Sequence, residues 1–173
     1  MSNTEINWDG QKITLRPSSI DSFYSCPWQW ANVFLGGKTT IPGARAAIGT
    51  AIHQGVEDMW LETMLTWNKE KVNLNMMRDS AIESLQGMDK DGLQYDKDEN
   101  YQTAERTVIE GVNVFVDDIV PYVDIPTAVE QRIVMPLDNK VISDLAGTLD
   151  YLTPTALADV KTSKRKPVAA GHV

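Results

Sequence analysis

The chain has little that could cross-link it and nothing that could anchor it in a bilayer. It holds one cysteine, Cys26, which cannot close an internal disulfide and so fits a reducing compartment. One thiol also cannot build a zinc or iron–sulfur centre alone. No apolar run reaches the ~18 residues of a membrane span, so no membrane partner is expected. The first residues, Met1 to Gln11, carry Glu5 and Asp9 and no apolar core, unlike a secretory signal. A cytoplasmic location is the expectation these absences leave. Positive charge is also scarce. Sixteen Lys and Arg face 24 Asp and Glu, for a net charge of −8, which argues against a general polyanion binder.

The charge is unevenly spread. Lys161, Lys164, Arg165 and Lys166 fall in the last 13 residues with no acid among them, which leaves −12 on the other 160. A basic strip beside an acidic body suits a protein that holds cations with its acids and meets phosphates with its strip. It also suits a plain solvated tail. With 173 residues, 42% hydrophobic and 23% charged, the chain reads as a single globular domain over residues 1–173.

Its organisation is helices first, then strands. Lys12 to Leu15 alternates as a strand would. Pro17-Ser18-Ser19 reads as a helix start capped by a serine, with Ile20, Phe23 and Tyr24 on one face. Cys26-Pro27 interrupts this helix, and Gly36-Gly37 stops its continuation. Further helices are expected at about 50–67, 75–87 and 99–119, the last ended by Pro121. The helical part is thus about 17–121. The sheet part, about 127–162, reads as a three-strand antiparallel meander. Its strands are 129–135, 141–152 with a break or bulge at Gly147, and 156–160.

The chemistry-bearing stretch is Gly147-Thr148-Leu149-Asp150, a turn, then Asp159-Val160-Lys161-Thr162. Side chains alternate along a strand. Asp159 and Lys161 would share one side, Val160 would face the core, and Asp150 would approach from the preceding strand. Paired carboxylates are hard oxygen ligands suited to Mg²⁺ or Mn²⁺. An adjacent ammonium can stabilise developing negative charge. An isolated D-x-K is ordinarily a solvated strand face; the paired G-x-x-D weighs against that here.

These residues resemble the core motif of the PD-(D/E)XK nuclease superfamily, in its RecB-like exonuclease branch: G-x-x-D, a short gap, then D-x-K-T. Gly49 to Glu57 is similar to that branch's G-x-x-x-H-x-x-x-E helix, with His53 as the histidine. Ser19 to Pro27 is similar to its S-x-x-x-(Y/F)-x-x-C-P helix. Order and spacing agree across residues 15–166.

The resemblance implies an α/β (α+β) fold: a helical N-terminal part on a mixed sheet with a restriction-endonuclease-like core. It implies a phosphodiester hydrolase that acts on single- or double-stranded DNA in recombination, repair or phage DNA processing, leaving 5′-phosphate and 3′-hydroxyl ends. One or two Mg²⁺ or Mn²⁺ ions would be held by His53, Asp150, Asp159 and the Val160 carbonyl. Lys161 would be the catalytic lysine, and Glu130 a further acid on the first strand. Glu57, one turn after His53, would orient the imidazole. Lys164, Arg165 and Lys166 would meet DNA. Cys26 takes the place of a first iron–sulfur ligand, but the three later cysteines are absent, so no cluster is expected. Trp28 and Trp30 could stack on bases, although such aromatics ordinarily belong to a core.

The family usually continues into a Q-x-x-x-Y helix. This chain stops at Val173, so a protein partner or second copy is expected to cover the shortened sheet. A catalytically incompetent DNA-binding or assembly module, or an acidic inhibitor that mimics nucleic acid, are the alternatives.

Overall fold

The computed structural model describes residues 12–36 and 41–162. The protein is mixed α/β, with five α-helices and a four-stranded mixed sheet among the described residues. It forms two compact units. Among the described residues, the first comprises 12–36 with Glu130–Leu149, and the second comprises Ile41–Val129 with 150–162.

In the first unit, β1 (Ile13–Leu15) is followed by α1 (Pro17–Ser25) and α2 (Pro27–Phe34). Pro17 occupies the first helical turn, where its fixed φ and missing N–H cost nothing. The helix therefore begins ahead of the expected serine cap. Ser19 instead turns its hydroxyl back to donate to the Arg16 carbonyl at 2.7 Å. Cys26 stands extended between the helices, at φ −155° and ψ 94°, because the residue before a proline is pushed out of the α region. Trp30 packs edge-on against Phe23 and stacks on Phe34, both at 5.4 Å. Trp28 is 60% exposed, which corrects its expected place in a core.

The second unit is built on three helices, α3 (Ala44–Thr66), α4 (Leu74–Asp91) and α5 (Tyr101–Val114). α3 starts six residues before the expected Thr50. The added residues include Ala44 and Ala47, good helix formers small enough to be buried. The apolar stripe of the sequence (Ile52, Val56, Met59/Trp60 and Met64) lies on α3, with the first four buried and Met64 half-buried. It meets Met77, Ala81 and Leu85 of α4 and Ala104, Val108 and Val112 of α5. Gly55 lets α3 and α4 approach closely: a Cβ there would lie 2.7 Å from the Met77 carbonyl oxygen.

Asn73 and Asn100 cap α4 and α5, the latter in a reciprocal capping box with Thr103. α5 does not run on to residue 119. It loosens into a π-helical turn over Phe115–Ile119 and tightens into a 3₁₀ turn over Val120–Tyr122. Pro121 supplies no N–H for a continuing helix. Lys69 donates to the carbonyls of Val120, Pro121 and Val123 at 3.3, 3.4 and 2.7 Å. It thereby satisfies the acceptors that this ending leaves open.

β2 (Ala128–Pro136), β3 (Ile142–Leu152) and β4 (Leu157–Ala158) complete the sheet, in the order β1-β3-β2 with β4 also paired to β3. β1 runs parallel to β3 and β4 antiparallel to it, so the sheet is mixed. β3 passes through Gly147 without the expected break. β4 has two residues, not the five of the expected 156–160 strand. The tight turn before it is closed by Thr153, whose N–H donates to the Ala156 carbonyl at 2.8 Å while its Oγ1 accepts from the Ala156 N–H at 2.9 Å. Asp159, Val160 and Lys161 lie beyond β4, in chain of no regular secondary structure.

Candidate metal centre

Two neighbouring residues at the end of β3 meet α3 two turns apart. Tyr151 is buried and lies 5.8 Å, ring to ring, from Trp60. Burial pushes its hydroxyl pKa up, and the Asp150 carboxylate adds to the shift. Asp150 itself meets His53, seven residues before Trp60 and so on the same stripe of α3. The aromatic pair thus fixes the alignment that brings the carboxylate to the imidazole.

His53, Asp150 and Val160 form one closed arrangement. The Asp150 Oδ2 accepts from the Val160 N–H in a short bond. The Val160 carbonyl oxygen lies 2.7 Å from His53 Nε2. His53 Nδ1 stands 3.7 Å from Asp150 Oδ2. The side chains are 29% and 15% exposed, shielded but reachable. The main chain of one residue is therefore held on both sides: the Asp159–Val160 amide by its N–H to the carboxylate, and the Val160–Lys161 amide by its C=O to the imidazole. Val160's side chain packs against the helical core, as the alternation in the sequence suggested, although the segment is not a strand.

Asp159 and Lys161 flank Val160 and pair with each other, Nζ to Oδ1 at 2.9 Å, on an exposed surface. They share a side, as expected, but the Asp159 carboxylate is turned to the ammonium rather than to the imidazole. Thr162 closes the motif against α3: a Cβ on Gly49 would stand 3.0 Å from the Thr162 Oγ1. The G of the helix motif and the T of the strand motif are thus packing partners, one turn of α3 away from His53.

Glu57 accepts from Gln54 Nε2 at 3.2 Å, and Gln54 also reaches Asp58 at 3.3 Å. Asp58 in turn accepts a short bond from the Ser80 hydroxyl of α4. Glu57 belongs to this polar network. Neither Gln54 nor the Val160 N–H stood out in the sequence: glutamine carries no charge signal, and a main-chain amide has no residue signature. Glu130 lies on β2 in the first unit, with a left-handed φ of 46° that a non-glycine residue adopts only under constraint. Lys164, Arg165 and Lys166 lie outside the described residues.

The donor set fits a hard divalent cation better than a soft one. It offers an imidazole nitrogen, carboxylate oxygens and a carbonyl oxygen, with no thiolate. Two donors that share such a cation at about 2.1 Å each stand between roughly 3.0 Å (at right angles) and 4.2 Å (in line) apart. The 3.7 Å between His53 Nδ1 and Asp150 Oδ2 falls in that interval. No family model, curated protein or solved structure matches the chain.

Proposed function

We propose that this chain is a divalent-metal-dependent deoxyribonuclease of the PD-(D/E)XK, RecB-like type, with DNA as substrate. The observation that carries the reading is the Val160 backbone held between Asp150, on its N–H, and His53, on its C=O, with the Asp159–Lys161 pair immediately beside it. A structural histidine needs one partner. Here the second imidazole nitrogen faces a carboxylate at a distance too long for a hydrogen bond and suited to a shared cation.

His53 and Asp150 hold Mg²⁺ or Mn²⁺. Asp159, 55% exposed, reaches it by rotating away from Lys161. Such a cation, when bound, would supply Lewis-acid chemistry toward a phosphate and an attacking water. Lys161, released from its pairing and 78% exposed, meets the negative charge that grows on the phosphoryl oxygens. Water oxygen bonds to phosphorus and the bond to the 3′ oxygen breaks; one water proton passes to the departing 3′ oxygen and the other to solvent, so that a 3′-hydroxyl and a 5′-phosphate result. Lys164, Arg165 and Lys166 supply contacts to the DNA backbone.

Incubation with end-labelled single- and double-stranded DNA and Mn²⁺ tests this. The wild-type chain cuts, and Lys161→Ala, folded by circular dichroism, loses at least about a hundredfold in rate. DNA binding without cleavage favours a non-catalytic module, and neither binding nor cleavage removes the nuclease reading.

A further inference from the structure

We infer that the Val160 carbonyl is a positioning group: it fixes His53 as the Nε2–H tautomer, so that Nδ1 is the atom that takes the cation together with Asp150. This rests on the proposed metal-dependent reading and specifies how its site is set.

A carbonyl oxygen can only accept. At 2.7 Å from it, His53 Nε2 must carry the proton, because a bare nitrogen would set two lone pairs against each other. In the neutral imidazole that leaves the lone pair on Nδ1, the nitrogen that stands 3.7 Å from Asp150 Oδ2. A metal-bound histidine ordinarily donates its other N–H to a carbonyl or carboxylate, which fixes both tautomer and ring orientation. The family resemblance expects the Val160 carbonyl among the ligands. In this structure the carbonyl serves the imidazole, and the N–H of the same residue serves the carboxylate. The backbone of one residue, through the two amides that meet at its Cα, therefore orients both ligands. The orientation depends on no side chain at position 160, only on the backbone path that Thr162 and Gly49 help to hold.

The test uses the full chain carrying His172→Gln, so that His53 is the remaining histidine of the two, labelled with ¹⁵N in the imidazole. Long-range ¹H–¹⁵N spectra are recorded at pH 8, without metal and then with ¹¹³Cd²⁺ as a diamagnetic probe. The metal-free spectrum should show the Nε2–H pattern. On addition of ¹¹³Cd²⁺, one-bond coupling should appear on Nδ1. Asp150→Asn should keep the Nε2–H pattern, since the carbonyl and not the carboxylate sets it, while ¹¹³Cd²⁺ affinity falls at least tenfold. Coupling on Nε2, an Nδ1–H pattern in the metal-free chain, or a tautomer switch in Asp150→Asn each overturns the inference and leaves the cation site standing. No ¹¹³Cd²⁺ binding at His53 overturns the inference together with the reading beneath it.

Discussion

Replacing Gly55 by alanine probes the packing that fixes the register of α3, and therefore the position of His53 two residues earlier. The added Cβ would lie 2.7 Å from the Met77 carbonyl oxygen and 3.1 Å from the Ala81 Cβ, against ordinary contact at 3.4–4 Å. The shortfall of about 0.7 Å is against backbone, which cannot step aside as a flexible side chain can. α4 must move as a body, opening contacts around Met77 and Ala81, both fully buried. Overpacking of this kind costs about 1–3 kcal/mol, and glycine-to-alanine in a helix interior returns up to about 1 kcal/mol. The net expectation is a loss of about 1–2 kcal/mol. For a chain of this size that lowers Tm by roughly 2–8 °C. Gly87 on α4 is the control, because a Cβ there meets nothing within 4 Å; Gly87→Ala should gain up to about 1 kcal/mol. Thermal and urea unfolding followed by circular dichroism read both. A Gly55→Ala protein as stable as the wild type, or more so, refutes the close α3–α4 contact.

Tyr95 should titrate late. Burial, and then its hydrogen bond to Asp89, push its pKa up from about 10 to about 12. The folded pKa stands above the unfolded one, so the stability Tyr95 contributes is complete below pH 10 and disappears as pH rises toward 12. Absorbance titration at alkaline pH should show this late group, and Asp89→Asn should bring it partway back; a wild-type Tyr95 that ionises at the ordinary value contradicts the placement. Asp150→Asn keeps an oxygen that can accept from the Val160 N–H but removes the charge. It should stay folded and lose at least about tenfold in Mn²⁺ affinity by calorimetry; equal affinity would remove Asp150 from the site.

Much of the helical part was legible because burial is periodic. Ile52, Val56, Met59 and Trp60 repeat at the helical period, and all are buried. The start of α3 was not, because Ala44 and Ala47 carry too little apolar signal to extend the stripe. The antiparallel β3–β4 pairing was also legible, from the Thr153-Pro154-Thr155 turn. The length of β4 was not: strand-like residues from Ala156 to Val160 lose their ladder where the Val160 N–H turns to Asp150 instead. β1 joining β3 in parallel has no local signature, because such pairing depends on distant chain. At the site, the closeness of His53, Asp150 and Val160 was an implication of the family resemblance, not of the residue pattern by itself. The pairing of the two amides that meet at Val160, N–H to carboxylate and C=O to imidazole, is a main-chain event that residue types do not encode.

The proposed function requires that a divalent cation bind between α3 and the end of β3. Crystals grown with Mn²⁺, measured for anomalous scattering, test it most directly. The expected result is a peak between His53 Nδ1 and Asp150 Oδ2, the atoms now 3.7 Å apart, with the Asp159 carboxylate turned toward it. A map with no peak there at saturating Mn²⁺, and the two atoms at their present spacing, would contradict the account.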